Sequence, residues 1–208
     1  MFKFLALVTN KNYWKLHSLI IRLILKVYGI KIGKSFYCEG IPLLKIRGKS
    51  SNIIIKDNVS FLGDVDLRNR ENGKIILNNN VTLEGNVRLV SARDGTINIG
   101  NNTVIGAYSV LNGGDDILIG EYCALSTRVC INSNEHTFAK DKYIRTQGFI
   151  HKPVIIENDV VIGVNVAINK GVIIAKGSVI GANTVVTNNT EEYSINAGVP
   201  NKKIGERK

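Results

Sequence analysis

Residues 153–187 read PVIIENDVVIGVNVAINKGVIIAKGSVIGANTVVT, and in them an aliphatic residue recurs at every sixth position: Ile156, Ile162, Ile168, Ile174, Ile180 and Val186. Four residues after each of the first five lies a second small or β-branched residue: Val160, Val166, Val172, Ser178 and Thr184. A period of six fits neither the 3.6-residue helix nor unbroken two-residue alternation. It fits a short strand followed by a turn, repeated. Ile162-Gly163-Val164-Asn165 and Ile180-Gly181-Ala182-Asn183 place Gly and Asn where the chain must bend sharply and φ turns positive.

Upstream the same period returns in triplets: Ile32, Cys38, Leu44; Ile55, Phe61, Leu67; Leu77, Leu83, Leu89; Ile99, Ile105, Leu111; and Ile119, Leu125, Ile131. Three strand-turn units make one triangular coil, with each aliphatic side chain pointing inward and stacking on its counterpart in the next coil. Counting the C-terminal six as two triplets gives seven coils. The expected fold is therefore all-β, a parallel β-helix of about seven triangular coils, about 30 Å tall at the usual strand spacing. One spacing breaks the rule: 25 residues separate Ile131 from Ile156, so 132–155 is expected to project as a loop. Long loops on a rigid repeat scaffold are where function collects.

Residues 12–28, NYWKLHSLIIRLILKVY, have a helical period instead. Lys15, Ser18, Arg22 and Lys26 share one face, and Gly29 is placed to cap the C-terminus. Arg22 at mid-length and an apolar run shorter than about 20 residues argue against a spanning helix. The helix is left with two roles: a cap on the open end of the coil stack or an oligomer contact, and a basic amphipathic helix on an anionic membrane. The chain thus divides into 1–29 (basic amphipathic helix), 30–190 (repeat domain) and 191–208 (tail).

The net charge of +10 is a terminal property. Residues 1–49 hold ten Lys/Arg against Glu39 alone and residues 201–208 hold four against Glu206, which leaves 13 bases and 15 acids between them. A nearly neutral body argues against a nucleic-acid groove, and basic ends suit an anionic surface or substrate. Cys38, Cys123 and Cys130 show no C-x-x-C pair and no histidine at zinc-ligand spacing, so neither a disulfide framework nor a metal is expected. With no export signal read at the N-terminus, the expected location is the cytoplasm, with peripheral contact to the inner face of the membrane.

The run from Pro153 to Ile204, closing on Gly198, Pro200 and Lys202, resembles the hexapeptide-repeat acetyltransferases, the left-handed β-helix family of galactoside, maltose, capsule and O-antigen acetyltransferases. The resemblance covers about residues 30–205. It implies a homotrimer, acetyl-CoA as co-substrate and a sugar acceptor. It also implies a histidine base in the loop after the fifth triplet, which is His136 in Ser133-Asn134-Glu135-His136-Thr137. Such a base suits the reaction, because an alcohol attacks a thioester poorly until its proton is taken. Glu135, Asp141 and Glu121 are alternatives for orienting the imidazole. Asn112, Asp116 and Asn134 are expected on the acceptor, and Gly163, Ala182, Gly198 and Lys202 on the coenzyme. Many relatives carry Trp where this chain has Val161. The leading activity is O-acetylation of a sugar hydroxyl of a surface polysaccharide or its precursor. The alternatives are N-acetylation of a nucleotide-activated amino sugar and a non-catalytic β-helix binding module.

Overall fold

The computed structural model describes residues 5, 7, 9 and 12–208. A helix, α1 (Asn12–Val27), leads into a parallel β-helix of three faces. The first face stacks seven short strands, from Lys31–Ile32 to Ile173–Ile174, and the third stacks seven, from Leu43–Ile46 to Val185–Val186. The second begins at Tyr37–Cys38 and carries nine.

The register is the one that the six-residue period requires. On the first face Ile32 pairs with Ile55, and the ladder continues through Leu77, Ile99, Ile119 and Ile156 to Ile174. On the second, Cys38, Phe61, Leu83, Ile105, Leu125, Ile162 and Ile180 align. On the third, Leu44, Leu67, Leu89, Leu111, Ile131, Ile168 and Val186 do so. Apart from Ile32 and Leu44 in the first coil, every one of these side chains is buried. The second residues of the repeat are buried too, with Val160, Val166 and Val172 beside the hydroxyls of Ser178 and Thr184.

The corners hold the left-handed backbone. Asn58, Asn80 and Asn102 have φ near +60° and lie one above another. The Asn58 amide donates to Asn80 (3.2 Å) and the Asn80 amide to Asn102 (2.9 Å), forming an asparagine ladder along one edge. Asn tolerates this conformation and its amide spans one strand spacing, so one residue type answers both needs.

The first coil leaves a strand edge without a neighbour, and α1 covers it. Ile21 and Leu25 are buried against it. The Ser18 hydroxyl accepts from the Cys38 N–H (2.8 Å), the Arg22 guanidinium donates to the Gly33 carbonyl (2.8 Å), and His17 Nε2 bonds the Gly40 carbonyl (2.9 Å). Gly29, at φ +83°, closes the helix: its N–H donates to Lys26 O (2.9 Å) and the Ile30 N–H to Leu25 O (3.0 Å). At the far end, residues that the sequence assigns to a tail extend the second face. Ser194–Ala197 pairs in parallel with Val179–Ile180, and Lys202–Glu206 returns antiparallel on it.

Candidate active site

The long segment after Ile131 is an arm rooted at one edge of the prism, where the third face turns into the first. Buried Ser133 anchors it: its hydroxyl accepts from the Asp115 N–H (2.9 Å) and donates to the Asp115 carbonyl (2.8 Å). Asn134–His136 then pairs antiparallel with Phe149–His151, in the register Asn134 with His151, Glu135 with Ile150 and His136 with Phe149. Side chains alternate along a strand, so Asn134, His136, Phe149 and His151 share one side of the arm and Glu135 and Ile150 the other. At the tip the Gln147 side chain accepts from the Ala139 N–H (2.5 Å) and donates to the carbonyls of Ala139 (3.0 Å) and Lys142 (2.9 Å).

The His136 imidazole is exposed, with its ring 4.0 Å from that of Phe149 at 36°. It makes no hydrogen bond among the described residues. Glu135 does not turn towards it: its carboxylate pairs with Lys170 on the other side of the arm. The remaining carboxylates also stay apart. Glu121 accepts from the Asn101 amide (2.7 Å) at a different edge, and Asp141 is exposed near the arm's tip.

His151 lies deeper. Its ring and the Asn134 amide press onto the backbone at Gly114, where a Cβ would fall 2.6 Å from His151 Nδ1 and 2.7 Å from Asn134 Nδ2. A side chain at Gly114 would have to displace both of them. His151 Nδ1 is buried and has no partner among the described residues. Burial, reinforced by the Arg93 charge and opposed by Asp115, holds the imidazole below its ordinary pKa. His151 lines a cavity of about 200 Å³ with Arg93, Asp94, Asp115 and Asp116. The Asp116 carboxylate itself accepts from the Thr96 N–H (2.7 Å), so it braces the turn as well as lining the cavity.

Beside the arm, the outer surface of the third face carries a polar row. Asn112 is in register with Asn132 and its amide donates to Asn132 (3.3 Å). Asn132, Asn134, Glu135, Asn169 and Lys170 line a second cavity of about 210 Å³. Asn132, Asn169 and Lys170 were not among the residues picked out from the sequence. The signal was present for the asparagines, since Asn112, Asn132 and Asn169 each follow an inward aliphatic residue of the third face.

Gly163, Ala182 and Gly198 gather at a different edge, between the second and third faces. A Cβ on Gly163 would lie 2.6 Å from the Ala182 nitrogen, so this edge is bare, closely stacked backbone. Gly198 has φ +101° and its carbonyl accepts from the Val185 N–H (3.1 Å). Lys202 is exposed on the returning strand, paired in register with Ala197. Val161 leaves a modest apolar surface, 44% exposed, on the second face. Within the chain the whole third face separates this edge from the arm.

Burial drives the Cys38 thiol up to about 11 and raises that of Cys123, so neither supplies a thiolate nucleophile. No cluster of His, Cys, Asp or Glu suited to a metal occurs among the described residues.

A triangular parallel β-helix with a histidine-bearing arm at its edge resembles the hexapeptide-repeat acyltransferases. The comparisons agree: residues 153–188 match the family model described as the hexapeptide repeat of succinyl-transferase. The solved structure of NeuO, described as a polySia specific acetyltransferase, is similar at a TM-score of 0.68 and 26% identity, over 85% of each chain. AntD, an N-acyltransferase from Bacillus cereus solved with dTDP and 3-hydroxybutyryl-CoA, is similar in fold at a TM-score of 0.65 and 22% identity, over 90% of this chain and 88% of that one. No curated protein matches the chain.

Proposed function

We propose that this protein transfers an acetyl group from acetyl-CoA to a sugar hydroxyl of a surface polysaccharide or its precursor, with His136 as general base. The observation that carries this reading is the arm. It holds an exposed imidazole against Phe149 at the prism edge, and the third face that meets this edge carries the Asn112, Asn132 and Asn169 row, a surface of neutral donors and acceptors suited to hydroxyl-rich ligands. The likeness to a polySia specific acetyltransferase supports a glycan acceptor.

His136 takes the proton of the attacking hydroxyl as the new ester C–O bond forms at the thioester carbonyl. It then returns that proton to the departing thiolate. No covalent enzyme intermediate is needed, but both substrates must be held together. The bare backbone of Gly163, Ala182 and Gly198 suits an extended pantetheine arm bound by main-chain groups, with Lys202 available to a phosphate. Asn112, Asn134 and Asp116 are the acceptor contacts in this reading.

These two halves lie on different edges of one prism, so the working unit is a symmetric homotrimer in which the bare edge of one copy meets the arm of the next.

Thiol release from acetyl-CoA, measured with hydroxyl and amino sugars, nucleotide sugars and glycan fragments, tests the reading. Hydroxyl-dependent release should fall by about two to four orders of magnitude in His136→Ala, the range of general-base catalysis. Equal rates in the two proteins would remove His136 from the chemistry, and preference for an amine would replace O-transfer with N-transfer.

A further inference from the structure

Helix α1 is apolar on the side where a soluble protein is normally polar. Its inner flank is occupied by contacts to the first coil, with Ile21, Leu25 and Ser18 buried. The opposite flank presents Leu16, Leu19, Ile20, Leu23, Ile24 and Val27, each between 44% and 87% exposed. At about 100° per residue these six fill an arc of about 140° that faces away from the β-helix, with Asn12 and Tyr13 sharing it in the first turn. The polar residues that the sequence places on one face are drawn elsewhere. Ser18 and Arg22 are turned onto the backbone of the first coil, so they are not available to solvate the outer flank.

The charges of α1 complete the pattern. Lys15 and Lys26 run along one border of the apolar arc, the helix contains no acidic residue, and residues 1–49 hold ten Lys/Arg against one acid. The arc is the convex flank of a single helix, a shape that lies on a surface and is not a groove for a peptide. No helix of the described residues is long and apolar enough to cross a membrane.

We infer that this flank docks the protein on an anionic lipid bilayer, with α1 lying in the interface plane. Leu16, Leu23 and Val27 enter the acyl boundary, and Lys15 and Lys26 sit at the level of the lipid phosphates. Apolar burial supplies the insertion and the cationic border selects for anionic lipid. The inference stands independently of the acceptor and of the catalytic role of His136.

Co-sedimentation of the full chain with sonicated vesicles provides the test. The expected result is binding to 1:1 phosphatidylglycerol/phosphatidylcholine vesicles, weakened by raised salt, with far weaker binding to phosphatidylcholine alone. Leu16→Gln/Leu23→Gln/Val27→Gln should bind more than tenfold more weakly. Lys15→Gln/Lys26→Gln should lose about fivefold per lysine on the anionic vesicles only. All of these positions face solvent, so circular dichroism and the molar mass of the protein should be unchanged in the variants. Failure of the wild type to bind anionic vesicles, or equal binding by the triple variant, overturns the inference. So does a fall in molar mass in the triple variant, which would make the flank a contact between copies of the chain.

Discussion

Glu135 and His136 are neighbours in sequence, and the arm separates their roles. A carboxylate that oriented the imidazole would be expected to matter almost as much as the base itself. Here the strand alternation sends Glu135 to the far side, where it pairs with Lys170, the two side chains being 47% and 19% exposed. An ion pair so open to water is worth about 0.2–1 kcal/mol, a factor of about five at most. Glu135→Gln keeps the shape and removes the charge, so kcat/KM for acetyl transfer should stay within about fivefold of wild type. His136→Ala is expected to lose about two to four orders of magnitude. The assay is thiol release at saturating acetyl-CoA with varied acceptor, which separates loss of kcat from loss of acceptor affinity. A fall in Glu135→Gln as deep as that in His136→Ala, with KM unchanged, would refute this reasoning and show that the carboxylate turns to the imidazole in the working enzyme.

Two further outcomes follow from the stack and from the arm. Ile105 is fully buried between Leu83 and Leu125, and its neighbour Val104 is 37% exposed on the outer surface. The rungs are held apart by backbone hydrogen bonds and cannot collapse into a void, so Ile105→Ala should cost about 3–4 kcal/mol in urea unfolding at fixed protomer concentration. Val104→Ala should cost well under about 1 kcal/mol, and similar losses at the two positions would contradict the inward stacking. His151 is held below its ordinary pKa, chiefly by burial, so the unfolded chain binds its proton more readily. The stability tied to this group is therefore complete above about pH 6.5 and is lost as pH falls from there through the lowered value. The thermal midpoint of wild type should drop over that window more than that of His151→Gln, and superimposable profiles would count against a buried neutral imidazole.

The β-helix was legible because its information is local and repeated. Each coil touches only its neighbours, so an aliphatic residue every sixth position fixes which way a side chain points and which residue it meets in the next coil. Ile32 through Ile174, Cys38 through Ile180 and Leu44 through Val186 pair in the ladders that the spacing predicts. The helix boundaries and the Gly29 cap were equally readable, since both rest on contacts within a few residues.

What lay outside the repeat required the tertiary structure. No period runs through residues 132–155, so the pairing of Asn134–His136 with Phe149–His151 follows only from where the arm is rooted at Ser133. That rooting brings Lys170 to Glu135, 35 residues away, and His151 onto Gly114. The same holds for α1. Its sequence shows that it is amphipathic, but only the open edge of the first coil shows that Ser18 and Arg22 turn inward to satisfy backbone groups, which leaves the leucine and isoleucine flank outside. A repeating pattern specifies contacts one coil away. The unique contacts of the arm, the helix and the returning C-terminal strand depend on which surfaces the finished stack leaves unpaired.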